Sequence, residues 1–141
     1  MDSDGFVGEL VPLWIEAGIN CCEPVEVAAG NDLPALRRHY AAKAAAMAAA
    51  LTAALPAGRA EWQEPDGGFF FWLRLAGRDS GELFKRAVAE KVAFLPGNAF
   101  YPDPDEQVGE VYGGADRARL CFTFADPAQT VEGCRRLARA L

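Results

Sequence analysis

Gly67-Gly68-Phe69-Phe70-Phe71-Trp72-Leu73-Arg74-Leu75 is the stretch whose reading decides the fold. Aromatic side chains favour extended backbone. A period of two sends Phe69, Phe71, Leu73 and Leu75 to one face. A strand with one apolar face must be covered, and the flanking sequence supplies helices to cover it. Upstream, Leu36, Tyr40, Met47, Leu51 and Leu55 recur close to helical spacing among many alanines, with Pro56-Ala57-Gly58 as the stop. Downstream, Asp79 with Glu82 three residues later forms a capping box, opening a helix expected to turn Leu83, Phe84, Ala87 and Val88 inward. Val92 to Leu95 reads as a short strand stopped by Pro96-Gly97, and the Asp-, Pro- and Gly-rich residues 101–116 as a solvated loop. Arg119 to Phe124 alternates as a strand, with Leu120, Phe122 and Phe124 on one face and Arg119, Cys121 and Thr123 on the other. Asp126-Pro127 with Gln129 caps a last helix whose inward stripe is expected at Val131, Cys134, Ala138 and Leu141. The order helix, strand, helix, strand, strand, helix indicates an α/β (α+β) layer, a small sheet covered by helices.

The 141 residues suffice for one ordinary domain, and an apolar content of 51% is ample for one core. A net charge of −6 supplies no basic footprint for nucleic acid. The four cysteines, Cys21, Cys22, Cys121 and Cys134, form no C-x-x-C pair, and His39 is the only histidine, so a metal site is not expected. Reduced thiols fit a cytoplasmic protein. The longest apolar run, residues 44–55, is mostly alanine and too short to span a bilayer; no charged segment precedes an apolar one as a secretory signal would.

Charge divides the chain. Residues 1–33 hold seven acidic side chains and no Lys or Arg, whereas the remainder holds 13 acidic and 14 basic ones. In this first piece Leu10, Leu13, Trp14 and Ala17 give a helical stripe, Pro12 belongs to a first turn, Gly18 is a C-terminal cap, and Ile19 to Glu23 reads as a short strand. One helix and one strand form an appendage that buries too little to stand alone. Through Asp2-Ser3-Asp4-Gly5, Leu13-Trp14-Ile15-Glu16-Ala17-Gly18-Ile19-Asn20 and Pro24-Val25-Glu26-Val27-Ala28-Ala29-Gly30, residues 1–34 resemble a segment of the uroporphyrinogen decarboxylase family. A whole barrel of that family exceeds this chain. Asp2 and Asp4 read either as catalytic carboxylates or as loop and capping aspartates, and the second reading is favoured.

Three further runs carry a second resemblance, over residues 35–141. Pro65-Asp66-Gly67-Gly68-Phe69-Phe70-Phe71-Trp72-Leu73, then Val92-Ala93-Phe94-Leu95-Pro96-Gly97-Asn98-Ala99-Phe100-Tyr101, then Asp116-Arg117-Ala118-Arg119-Leu120-Cys121-Phe122 resemble, in order and spacing, the C-terminal small domain of class I/II, fold-type I aminotransferases dependent on pyridoxal phosphate. The branch with 2-aminoadipate, aromatic and branched-chain aminotransferases is the most similar, together with the like domain fused to some transcription regulators.

The resemblance implies that Arg119 holds the α-carboxylate of an amino-acid or 2-oxo-acid substrate, a task suited to a planar, permanently charged fork. Gly67 and Gly68 read either as a turn before a strand or as a close backbone approach to the substrate cleft. The resemblance also places Pro96-Gly97 and Phe100 at the cleft edge, and gives Arg117 no role beyond solvation. Two positions depart from the pattern. Asp116 stands for an asparagine, and Lys91 stands where glycine is frequent at a helix end. In the family the Schiff-base lysine and the rest of the pyridoxal phosphate site lie in a large domain that has no match here. Lys43, Lys85 and Lys91 fall in or at the end of predicted helices, so no catalytic or cofactor-binding residue is expected and the chain alone is expected to bind no cofactor. The function expected is that of a partial aminotransferase domain, inactive alone, which self-associates or meets a large-domain partner, with neither nucleic acid nor membrane as partner. A carboxylate-binding or protein-interaction module and a fused gene remnant are the alternatives.

Overall fold

A computed structural model describes residues 8–17, 30, 32–101 and 113–141. Helix α1 is Leu10–Glu16 and α2 is Leu33–Ala54; strands β1, Ala60–Trp62, and β2, Phe70–Leu75, follow. Helix α3 is Ser80–Ala89, β3 is Leu95–Pro96, β4 is Arg117–Cys121 and α4 is Pro127–Ala140. The strands form one antiparallel sheet in the order β1-β2-β4-β3. The fold is mixed, helices with a small four-stranded sheet, as expected from the sequence.

Alternation in β2 is obeyed: Phe71, Leu73 and Leu75 are almost wholly buried. They pack with Ala118, Leu120 and Phe122 against Met47 and Leu51 of α2, Leu55 at its C-cap, Leu83 and Ala87 of α3, and Cys134 and Leu137 of α4. Burying a side chain the size of Leu or Phe stabilises by about 1.5–3 kcal/mol, so this one-sided layer holds the domain together. Helix α2 starts where Asp32 accepts from the Ala35 N–H at 2.8 Å, with a proline in the first turn. It ends before Pro56, as predicted.

Several expectations need correction. Strand β1 was not foreseen; three residues between turn signals are too few to show a period, yet Ala60 and Trp62 pack on the core. The third strand begins only at Leu95, because the end of α3 consumes the preceding backbone. Lys91 adopts φ 60, its N–H donates to Val88 and the Val92 N–H donates to Ala87, closing the helix with a left-handed residue. Lysine accepts here the conformation that glycine takes without strain. Pro96, expected to stop the strand, belongs to it, which an edge position allows. Asp79 caps α3, but Glu82 turns its carboxylate to Lys85, so the box is only half made.

Four predicted faces are rotated or broken. Val88 is exposed, beyond the line of Leu83 and Ala87. In α4 the capping box of Asp126 and Gln129 sets the phase, and Thr130, Cys134, Leu137 and Ala140 face inward. Val131 is exposed and Ala138 and Leu141 are half-buried. Phe124 is 60% exposed because pairing ends at Cys121, with one last bond from the Phe122 N–H to Phe69, and the chain bends. The bend also buries Thr123, and Lys43 Nζ donates to the carbonyls of Thr123 and Ala125. In α1, Leu10 and Leu13 are exposed, so the predicted stripe does not face the core. The predicted loop contains a 3-10 turn, Gly114–Asp116, with Gly114 buried. Residues 102–112 and the predicted strand at residues 19–23 lie outside the described residues.

Burial pushes the Cys134 thiol up to about 11. The unfolded chain therefore releases that proton first, and stability present at neutral pH is lost as pH rises from the ordinary thiol range, about 8.5, towards 11. Urea unfolding at pH 7 and pH 10.5 should show wild type losing about 2 kcal/mol more than Cys134→Ala over that interval. Equal losses in the two proteins contradict it.

Candidate carboxylate-binding face

The face of the sheet turned away from the helices carries the candidate site residue Arg119. Alternation places Phe70, Trp72 and Arg74 of β2 and Arg117, Arg119 and Cys121 of β4 there, none of them in the buried core. Register arranges them in rows across the strands. Glu61 stands opposite Arg74 and Arg74 opposite Arg117; Trp72 and Leu95 flank Arg119; Phe70 stands opposite Cys121.

The first row is ionic. Asp116 reaches Arg117 at 3.2 Å and Arg74 at 3.4 Å, so one carboxylate serves two guanidinium groups. Arg117, expected to be merely solvated, is thereby engaged. The aspartate that departs from the asparagine pattern has its own local partners. Both pairs are partly solvated, so each contributes at most about 1 kcal/mol.

Arg119 differs. It is half-buried, and among the described residues it has no hydrogen-bond acceptor and no ion pair. Its guanidinium carbon lies 4.0 Å from the centre of the Phe70 ring and 4.5 Å from that of Phe100. Ring faces carry negative charge and attract a cation, but leave its N–H donors unsatisfied. The arrangement is therefore a cation held by aromatic rings, with donors available for a planar anion.

Phe100 reaches this position from the 3-10 turn Gly97–Phe100 after β3, and Trp72 packs edge-on against it with centroids 5.4 Å apart. Two glycines press that turn onto the start of β4. A Cβ on Gly97 would collide with the Gly114 carbonyl and the Arg117 Cβ, and one on Gly114 with the Tyr101 ring and the Gly97 carbonyl. The Gly97 N–H also meets Ser80 Oγ at 3.3 Å.

Gly67 and Gly68 are not brought into this arrangement. They line a groove of about 210 Å³ with Arg37, Tyr40, Pro65 and Phe122, and Arg119 is not among its lining residues. A methyl group at either glycine would meet no atom within 4 Å among the described residues, so the close approach finds no neighbour there. Gly68 has φ +76, so the turn explains it. Phe100 was expected at the cleft edge through the resemblance, whereas the place of Phe70 beside Arg119 and the Asp116 bridge were not foreseen. The alternation of β2 was the available signal, since it places Phe70 and Trp72 on the face that also carries Arg119.

No lysine belongs to any of the four strands. Lys43 is committed to two backbone carbonyls, Lys85 is exposed and paired with Glu82, and Lys91 is exposed at the end of α3. These residues do not fit the lysine of a pyridoxal phosphate site. Among the described residues no group of metal-ligating side chains occurs, and no helix is long and apolar enough to cross a membrane.

Comparison with known proteins gives this arrangement a context: the fold is that of an aminotransferase small domain. No family model matches the chain. Its homologues and structural neighbours are class I aminotransferases dependent on pyridoxal phosphate, and the similarity covers about 76% of the chain. The chain is 39% identical over 110 residues to 2-aminoadipate transaminase of Thermus thermophilus, covering 77% of this chain and 25% of that protein. It is 33% identical to aromatic-amino-acid aminotransferase 1 of Thermococcus litoralis, over 77% of this chain and 24% of that one. Among solved structures, the kynurenine aminotransferase of Pyrococcus horikoshii, determined in complex with PMP, aligns at TM-score 0.65 with 36% identity, over 76% of this chain and 24% of that chain. The α-aminoadipate aminotransferase LysN of Thermus thermophilus, complexed with N-(5'-phosphopyridoxyl)-L-leucine, aligns at TM-score 0.66 with 32% identity, over 95% of this chain and 29% of its own. The chain thus spans about a quarter of the length of the curated relatives it matches.

Gly97→Ala should destabilise the protein by about 1–3 kcal/mol, because backbone atoms cannot yield to the new methyl. Gly67→Ala, with open space around it, should stay within about 0.5 kcal/mol of wild type. Denaturant midpoints check both, and a neutral Gly97→Ala contradicts the close packing described here.

Proposed function

We propose that the chain is the carboxylate-holding part of an aminotransferase, in which Arg119 binds the α-carboxylate of an amino acid or 2-oxo acid. One observation carries the reading: on the open face the two other strand arginines share Asp116, while Arg119 has no anionic partner among the described residues. A group that receives a substrate anion must be left available, and a guanidinium gives two parallel hydrogen bonds to a carboxylate. The runs that match the aminotransferase pattern enclose this residue.

On this reading the chain alone does not transaminate. In such enzymes pyridoxal phosphate supplies the electron sink at the amino-acid α-carbon. Here the three lysines are committed or remote, so the chain contributes orientation of the substrate carboxylate and not the cofactor's chemistry. Activity then requires the remaining three quarters of the fold, supplied by another polypeptide or by further sequence. Residues 1–34 are a segment of separate origin on this reading, supported by their charge and by their resemblance to uroporphyrinogen decarboxylases. Without covering protein the ion pair at Arg119 stays wet and contributes about 1 kcal/mol. Affinity is then no tighter than about 1 mM, which corresponds to about −4 kcal/mol.

Mixing the purified chain with pyridoxal phosphate, followed by borohydride reduction, peptide mapping and a transamination assay, tests the first part. No stoichiometric adduct at Lys43, Lys85 or Lys91 and no turnover are expected; an adduct with turnover overturns it. Calorimetric titration with a 2-oxo acid tests the second. Arg119→Lys should weaken binding about tenfold through loss of the two-point fork while the unfolding midpoint is retained. Unchanged binding removes Arg119 from the site.

A further inference from the structure

The carboxylate role of Arg119 leaves two aromatic side chains without a function, and both address the guanidinium through their ring faces. Phe70 comes from β2, two residue pairs along from Arg119 on the same face, and Phe100 comes from a different element, the 3-10 turn pinned by Gly97 and Gly114. Phe100 is 43% exposed, so burial does not account for it, whereas Trp72 braces it from one side. A strand arginine packed only for structure needs neither ring.

We propose that Phe70 and Phe100 are positioning residues that make Arg119 a slot for planar carboxylates and discriminate against tetrahedral oxyanions; the inference rests on the carboxylate role of Arg119. The rings attract the guanidinium and restrict its rotamers, so fewer states are lost when an anion binds. They also occupy the space beside the fork. A carboxylate meets the fork with both oxygens in the guanidinium plane and adds nothing outside it. A sulfonate or phosphate has a further oxygen that leaves this plane and turns towards a ring face, whose negative charge repels it. Asp116 sharpens the selection, because its bonds to Arg74 and Arg117 keep the neighbouring arginines from offering that oxygen an alternative.

The test uses the full chain labelled with nitrogen-15, observing the Arg119 Nε–H resonance, which is assigned by its loss in Arg119→Lys. Acetate and methanesulfonate are the probes, since they share a methyl group and a single negative charge and differ in the shape of the anion. Both are titrated at matched ionic strength. In wild type, acetate should shift the resonance at concentrations about fivefold lower than methanesulfonate. In Phe100→Leu the preference should fall below about twofold, and the free-state resonance should itself move as a ring current is lost. Phe70→Leu should act in the same direction, and Phe100→Leu suffices if that strand variant does not fold. Equal responses to the two anions in wild type, or a preference preserved in Phe100→Leu, overturn the inference and leave the carboxylate role intact. A resonance that responds to neither anion overturns the carboxylate role and the inference with it.

Discussion

The closed side of the sheet fixes everything on its open side. Phe71, Leu73 and Leu75 are driven into contact with α2, α3 and α4, and adjacent side chains on a strand point to opposite faces. Phe70, Trp72 and Arg74 therefore have no choice of face. The same constraint acts on β4, where burial of Ala118 and Leu120 turns Arg117 and Arg119 outward. A slip of one residue in either strand would bury the arginines and expose the core. The location of the candidate site thus follows from hydrophobic burial elsewhere, with no local force needed at Arg119.

A face built in this way is chemically asymmetric. At one end Asp116 balances Arg74 and Arg117, an arrangement of solvated charges with little energetic weight. At the other, Arg119 is surrounded by ring faces that attract its charge without satisfying its donors. The proposal for Arg119 rests on the distinction between these two ends, and not on the mere presence of arginine. The comparisons support this view of the chain as one part of a larger design, since it corresponds to about a quarter of each relative.

Much of the fold was legible because long periodic segments advertise themselves. The 22-residue helix α2, the aromatic strand β2 and the capped α4 all follow from spacing and end signals. Short elements were less legible: β1 was not foreseen, and the strand expected at residues 92–95 begins only at Leu95. β1 has three residues and β3 has two, and both owe their existence to edges offered by their neighbours. Phase errors had a common cause: Phe124 and Val131 sit beyond a bend and a cap whose geometry decides which side chain turns inward. At the candidate site, the flanking motif singled out Arg119 for the proposal, whereas Phe70 and Phe100 become its neighbours only through strand pairing and the Gly97–Gly114 contact. For Gly67 and Gly68 the sequence left a turn and a cleft approach as alternatives, because the signature of a turn is the same whether or not a ligand approaches it; φ +76 at Gly68 accounts for the turn.

The central claim is that Arg119 is an available cation on the open face, held by aromatic rings and waiting for a carboxylate. A crystal structure of the chain grown with a 2-oxo acid tests it most directly. The account predicts the ligand carboxylate within hydrogen-bond distance of two Arg119 N–H groups, with Phe70 and Phe100 still over the guanidinium. Arg119 ion-paired to an aspartate or glutamate of its own chain, with the ligand bound elsewhere or not at all, would contradict it.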